Sequence, residues 1–203
     1  MRTIHFAAAM ASALALSAPA YAGFFDLTLT PYVGASAGLS KTDICAPGDT
    51  CDKKDTAWKI YGGMEMNEYL SMEVGYIDMG KVHFDHYTAL TGTPLSGTRY
   101  VNGMIIDVLG TYVINPSFTL MAKGGMNILN AEENGTIAQT PNGNTGNTDV
   151  VWSFGVGAQY NLTPAVGFRL EWERFFKVGG PGYNGGPDVA DMDTATAGVV
   201  YKF

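Results

Sequence analysis

The chain has 203 residues, enough for one domain and short for two. Its net charge is −7, from 12 basic and 19 acidic residues, so it lacks the basic surplus that nucleic-acid binding requires. Beyond the N-terminus no apolar run is long enough to cross a membrane as a helix, and 26 glycines, 11 tyrosines and 10 phenylalanines mark a chain rich in strands and turns.

Residues 1–22 read as a secretory signal. Arg2 supplies the positive start, Phe6 to Ser17 an apolar stretch, and Ala20-Tyr21-Ala22 an A-x-A cleavage site. The mature domain is then residues 23–203, with a net charge of −8 once Arg2 is removed. No cysteine stands at the cleavage point, so a lipid anchor is not indicated. Export bears on the two cysteines, which lie in Cys45-Ala-Pro-Gly-Asp-Thr-Cys51. Pro-Gly turns the chain between them, and in an oxidising compartment a Cys45–Cys51 disulfide is the expectation. So short a loop makes it a local staple contributing at most about 2 kcal/mol.

Eight segments of about ten residues follow, each alternating with a period of two. In the first, Val33, Ala35, Ala37 and Leu39 oppose Tyr32, Gly34, Ser36 and Gly38. In the second, Trp58, Ile60, Gly62, Met64 and Met66 oppose Lys59, Tyr61, Gly63 and Glu65. In the third, Leu70, Met72, Val74 and Tyr76 oppose Ser71, Glu73, Gly75 and Ile77. The fourth sets Met104, Ile106, Val108 and Tyr112 against Gly103, Asp107 and Thr111, and is the least clean because Ile105 and Leu109 fall on its polar side.

The fifth sets Phe118, Leu120, Ala122, Met126 and Ile128 against Thr119, Met121, Lys123, Gly125 and Asn127. The sixth sets Trp152, Phe154, Val156 and Ala158 against Ser153, Gly155, Gly157 and Gln159. The seventh sets Val166, Phe168, Leu170 and Trp172 against Arg169, Glu171 and Glu173. The eighth is the end of the chain, where Ala195, Ala197, Val199, Tyr201 and Phe203 oppose Thr194, Thr196, Gly198, Val200 and Lys202.

The connections alternate in length. Asn67 to Tyr69, Ile114 to Ser117 and Asn161 to Pro164 read as tight turns; Lys41 to Thr56, Lys81 to Thr98, Asn130 to Asp149 and Lys177 to Asp193 read as long polar loops. Short turns at one end and long loops at the other are the pattern of a bacterial outer-membrane barrel. The fold class predicted is therefore all-β, an eight-stranded antiparallel up-and-down transmembrane β-barrel with short periplasmic turns and long extracellular loops.

Charge decides which face meets lipid. The apolar set has no charged residue in any segment. A charge facing lipid at mid-bilayer costs about 2–4 kcal/mol. Lys59, Glu65, Glu73, Asp107, Lys123, Arg169, Glu171 and Glu173 are accordingly assigned to the lumen, with Lys202 at its mouth.

Five stretches carry a family resemblance. Asp55-Thr-Ala-Trp-Lys-Ile-Tyr-Gly-Gly-Met-Glu-Met-Asn67 with Met72-Glu-Val-Gly-Tyr-Ile-Asp-Met-Gly-Lys81, and Val156-Gly-Ala-Gln-Tyr-Asn-Leu-Thr-Pro164 with Phe168-Arg-Leu-Glu-Trp172, resemble strands two and three, and six and seven, of the OmpA-like transmembrane domain family. Gly198-Val-Val-Tyr-Lys-Phe203 is similar to the terminal strand read by the barrel-assembly machinery, with Tyr201 and Phe203 as the signal. The resemblance covers essentially the whole mature chain. It implies eight strands, a side-chain-filled interior and an outer-membrane location in a Gram-negative bacterium. Members with a second domain carry a peptidoglycan-binding module after the barrel; nothing here matches it, so peptidoglycan anchoring is not transferred.

An eight-stranded interior is just wide enough for side chains to fill. The near balance of lumen charges predicts paired groups that plug the barrel, since unpaired buried charges are costly. A tight turn centred on Asn115 places Asp107 directly across from Lys123. Arg169 is expected to meet Glu171 on its own strand, or Glu73 or Glu65 across the lumen.

No cofactor, metal site or catalytic residue is assigned. His83 and His86 fall in the second long loop, near Asp85 and Ser96 but without a nucleophile motif, and read as exposed loop residues. Asp188, Asp191 and Asp193 lack the spacing of a calcium-binding loop. Asn134-Gly-Thr136 and Asn161-Leu-Thr163 match a glycosylation pattern that carries little weight in a bacterial envelope protein.

The expected function is structural, with the extracellular loops as a contact surface for host or phage. Outer-membrane lipid, lipopolysaccharide and the barrel-assembly machinery are the other expected partners, and the barrel is expected to be a monomer. A narrow ion or small-solute pore is the alternative, and a lipid-modifying outer-membrane enzyme the third reading.

Overall fold

The computed structural model describes residues 29–42, 50–52, 54–87, 94–135, 144–178 and 190–203. The signal segment and Cys45 lie outside the described residues, as do the side chains of Cys51, His83 and His86. Among the described residues nine strands run in chain order: β1 (Thr30–Thr42), β2 (Thr50–Asp52), β3 (Lys54–Glu65), β4 (Leu70–Tyr87), β5 (Pro94–Asn115), β6 (Phe118–Gly135), β7 (Asn144–Asn161), β8 (Val166–Val178) and β9 (Ala190–Lys202). All pairings are antiparallel. β1 pairs with both β3 and β9, and β4 with β5, so eight strands close into a barrel while β2 adds a short rung to β4.

The eight staves exist where the alternation places them, but they are unequal. β1, β3, β8 and β9 have 12 or 13 residues; β4, β6 and β7 have 18 and β5 has 22. The predicted loops after Lys81 and Asn130 are therefore corrected. β4 continues to Tyr87 and pairs with β5 from Pro94, and β6 continues to Gly135 opposite β7. His83 and His86 belong to β4, whose backbone pairs with Thr98 and Leu95 there. The barrel thus has a tall wall of β4 to β7 and a low wall of β8, β9, β1 and β3.

Two of the three tight turns are closed by asparagine, and the third by the Thr163 hydroxyl, which accepts from Val166 N–H at 3.0 Å. Asn67 Oδ1 accepts from Tyr69 N–H at 2.8 Å, and Asn115 Oδ1 from Ser117 N–H at 2.9 Å. These side chains mimic a backbone turn at its tightest point. At the other end β4 is kinked between Asp78 and Lys81, where Gly80 has φ +77°. A Cβ there would lie 2.6 Å from the carbonyl oxygen of Thr56, so the bulge requires glycine.

Polarity follows the environment. Trp58, Ile60, Met72, Val108, Trp152, Phe154, Leu170 and Val199 are exposed on the outside. On β5 the outward residues from Tyr112 to Tyr100 span roughly 30 Å at about 3.4 Å per residue and a strand tilt near 40°, the thickness of a bilayer core.

Candidate functional site

The lumen holds three layers, which the alternation of each strand aims inward. Nearest the periplasmic end, Tyr32 stands opposite Gly63 and Tyr61 opposite Gly34. Each ring lies on the bare backbone of its partner glycine: a Cβ on Gly63 would be 2.2 Å from Tyr32, and one on Gly34 2.4 Å from Tyr61. Arg169 of β8 lies over both rings, 5.5 Å from Tyr32 and 5.2 Å from Tyr61, in cation–π geometry. Its Nη1 pairs with Glu73 Oε1, and its Nε donates to Gln159 Oε1 at 3.0 Å. Tyr32 Oη donates to the same Glu73 oxygen at 2.9 Å. At the mouth, Lys202 Nζ lies 2.5 Å from Glu65 Oε1.

The middle layer is an ion-pair network. Lys59 Nζ sits 2.6 Å from Glu171 Oε2 and 3.0 Å from Glu173 Oε1. Lys123 Nζ lies 3.3 Å from Asp107 Oδ2 and 3.4 Å from Glu171 Oε1, and also pairs with Glu173. Arg169 and Glu171 approach to 3.9 Å. Ser153 Oγ donates to Asp107 Oδ1 at 3.3 Å and accepts from Asn127 Nδ2 at 2.8 Å. Lys59, Glu73, Asp107, Lys123, Arg169, Glu171 and Glu173 are all buried. Seven charged groups share contacts in one water-poor space, so each carboxylate is met by at least one cation.

The expected register between β5 and β6 is corrected here. The turn falls on Pro116–Ser117, one residue beyond the predicted centre. Asp107 therefore stands opposite Gly125, and Lys123 opposite Leu109. The ion pair forms on the diagonal, across the glycine, which leaves room for the Asp107 side chain.

The extracellular layer is mainly apolar among the described residues. Ile77, Met79, Val101, Ile105, Leu129, Ala131, Val151, Phe175, Val178 and Met192 form one buried apolar cluster. Paired charges thus fill the lumen only in part. Ile105 and Leu109, which look like flaws in the fourth alternation, point inward and are 1 % exposed. Arg99 of β5 is also buried and was missed, because the fourth segment was read only from Gly103, whereas β5 begins at Pro94. Extending the inward parity of Asp107, Ile105 and Val101 back along the chain identifies it. Of the acidic loop residues, Asp193 is gripped by Arg174 at 2.7 and 2.8 Å, and Asp191 Oδ1 accepts from Lys177 N–H at 3.1 Å. Asp188 lies outside the described residues.

Solved outer-membrane barrels share this shape. Neisserial surface protein A is 16% identical, with a TM-score of 0.59 over 85% of this chain and 97% of that one. A major outer membrane protein from Thermus thermophilus is 15% identical, with a TM-score of 0.57 over 87% and 100%. Ail, the attachment invasion locus protein of Yersinia pestis, is 14% identical, with a TM-score of 0.50 over 88% and 100%. At these identities the likeness is one of fold. No curated protein sequence matches the chain. The family described as "Outer membrane protein beta-barrel domain" matches residues 6–203, and the chain belongs to that family of the Gram-negative outer membrane.

Proposed function

We propose that the protein is a non-conducting structural and surface-interaction barrel, exported by residues 1–22 and inserted as residues 23–203. One observation carries this reading: the ion-pair network is capped by the apolar cluster around Phe175, Ile77 and Leu129. An ion moving along the lumen would have to break the salt bridges and then enter an apolar layer, where a bare charge is strongly disfavoured. The lumen groups serve to hold the staves together. The carboxylates and cations of the middle layer are paired with one another, which supports a non-catalytic role.

The tall wall of β4 to β7 stands well beyond the low wall and presents the contact surface for host or phage. Tyr201 and Phe203 are exposed on the outer face, where the barrel-assembly machinery and lipid meet them. Planar-bilayer recording tests the closed lumen. The protein is expected to be silent. Discrete openings that vanish on charge reversal at Arg169 or Lys123 would establish the pore instead. Shortening the β4–β5 and β6–β7 tips tests the contact role, with cell or phage attachment expected to fall while the barrel still folds.

A further inference from the structure

Buried polar atoms without a hydrogen bond among the described residues gather along one side of the lumen. They include Glu73 Oε2, Tyr61 Oη, Ser36 Oγ, Thr196 Oγ1 and Glu171 Oε1. Their residues are between 2 and 7 % exposed. They belong to β4, β3, β1, β9 and β8, which are neighbours in that order around the wall. Burying such groups unbonded costs about 1–3 kcal/mol each, so a continuous line of them calls for a partner.

The register arranges them as a staircase that climbs toward the extracellular end. Glu73 stands opposite Gly63, and Tyr61 is the next inward residue of β3 above that glycine. Tyr61 stands opposite Gly34, and Ser36 is the next inward residue of β1 above it. Ser36 stands opposite Gly198, and Thr196 is the next inward residue of β9 above it. Thr196 then faces Glu171 directly. On the first three steps the residue straight across is a glycine, which has no side chain to offer. The groups on the diagonal are about 7–8 Å apart between backbones, a span that a bridging molecule closes with two hydrogen bonds of about 2.8 Å. The nearby donors are engaged elsewhere. Lys59, on the other side of Ser36, holds Glu171 Oε2 and Glu173. Arg169 and Tyr32 both hold Glu73 by its other oxygen. Glu171 Oε1 has ion-pair contacts at 3.4 and 3.9 Å and no hydrogen bond.

We propose that this staircase is a binding site for a file of ordered water molecules, joining the Arg169–Glu73 pair to the Lys59–Glu171 pair along the β1–β9 side of the lumen. The chemistry selects the ligand. The two end groups are carboxylate oxygens that only accept, and the three hydroxyls between them both donate and accept. Arg169 and Lys59 beside the file disfavour a metal cation, and Glu73 and Glu171 disfavour an anion. A small neutral molecule that donates twice and accepts twice satisfies all five atoms, and buried water makes about three such bonds. Tyr32, Tyr61 and Val200 form an apolar cluster at the periplasmic end, and the cluster around Phe175 closes the extracellular end. The file therefore lies between the two clusters and gives ions no path through the lumen.

The sign of a stability change tests the site. Thr196→Val keeps the shape of the side chain and removes its hydroxyl. If that hydroxyl is bonded to held water, the folding equilibrium constant should fall about fivefold, read from urea unfolding in lipid vesicles. If it is unbonded, a methyl in its place should raise the constant instead. Ser36→Ala and Tyr61→Phe are expected to change stability in the same direction as Thr196→Val. Magnetic relaxation dispersion of water oxygen, recorded on the folded mature protein in micelles, counts long-lived water directly, and its amplitude should drop in S36A/T196V. Circular dichroism and heat-dependent gel migration report whether each variant is folded, and Tyr61→Phe carries both measurements should the double variant fail to fold. Folded variants as stable as the parent or more so, or a dispersion amplitude equal to the parent's, would overturn the proposal.

Discussion

Lys59 and Glu171 meet at 2.6 Å although β3 and β8 are separated in the wall by β1 and β9. The contact crosses the lumen and ties non-adjacent staves together. Lys59 also reaches Glu173, so removing its ammonium leaves two buried carboxylates short of a partner. Lys59→Met is expected to destabilise the barrel by about 3–5 kcal/mol, read as a shift in urea unfolding from lipid vesicles. Adding Glu171→Gln should recover part of that loss. A single variant as stable as the parent would remove the network from the account of stability.

The apolar layer gives a second expectation. Phe175 is 1 % exposed and packs among Ile77, Leu129 and Met192 at the extracellular end of the lumen. Phe175→Ala should cost about 3–5 kcal/mol through lost burial and the cavity left behind. The same unfolding measurement checks it. A loss below about 1 kcal/mol would mean that this layer collapses freely and is not a packed core.

Tyr32 and Gly63 give a third. A Cβ on Gly63 would stand 2.2 Å from the Tyr32 ring, so Gly63→Val must push the ring aside and strain its bond to Glu73. Overpacking of this kind costs about 1–3 kcal/mol. The near-ultraviolet circular dichroism of the tyrosines should change as well. Gly34→Val should act in the same way on Tyr61, where the corresponding distance is 2.4 Å. Unchanged spectra in both variants would show that the rings do not depend on the glycines.

The last residue gives a fourth. Phe203 N–H donates to Pro31 O at 3.1 Å, and its ring meets Tyr201 edge-on at 5.2 Å between centroids. Deleting Phe203 is expected to lower the amount of folded protein in the outer membrane several-fold, measured by heat-dependent gel migration of membrane fractions. Normal insertion would confine its role to packing at the periplasmic rim.

The alternation of apolar and polar residues determined the number of staves and the face each residue takes, because a bilayer imposes the same demand on every strand: no charge toward lipid. Ala195, Ala197, Val199 and Tyr201 were legible as outward on that ground alone. Periodicity carries no information about register or height, and those the tertiary structure decided. The turn at Pro116–Ser117 moved Asp107 from Lys123 to Gly125, and only the reach of the lysine side chain restored the pair on the diagonal. Ile77, Ile105 and Leu129 share inward parity with Glu73, Asp107 and Lys123, yet they gather in a separate layer because strand length and stagger set their height in the lumen. A period of two can say that a side chain points inward; whether it finds a charge or an apolar neighbour there depends on closure of β1 against β9, which aligns residues far apart in the chain.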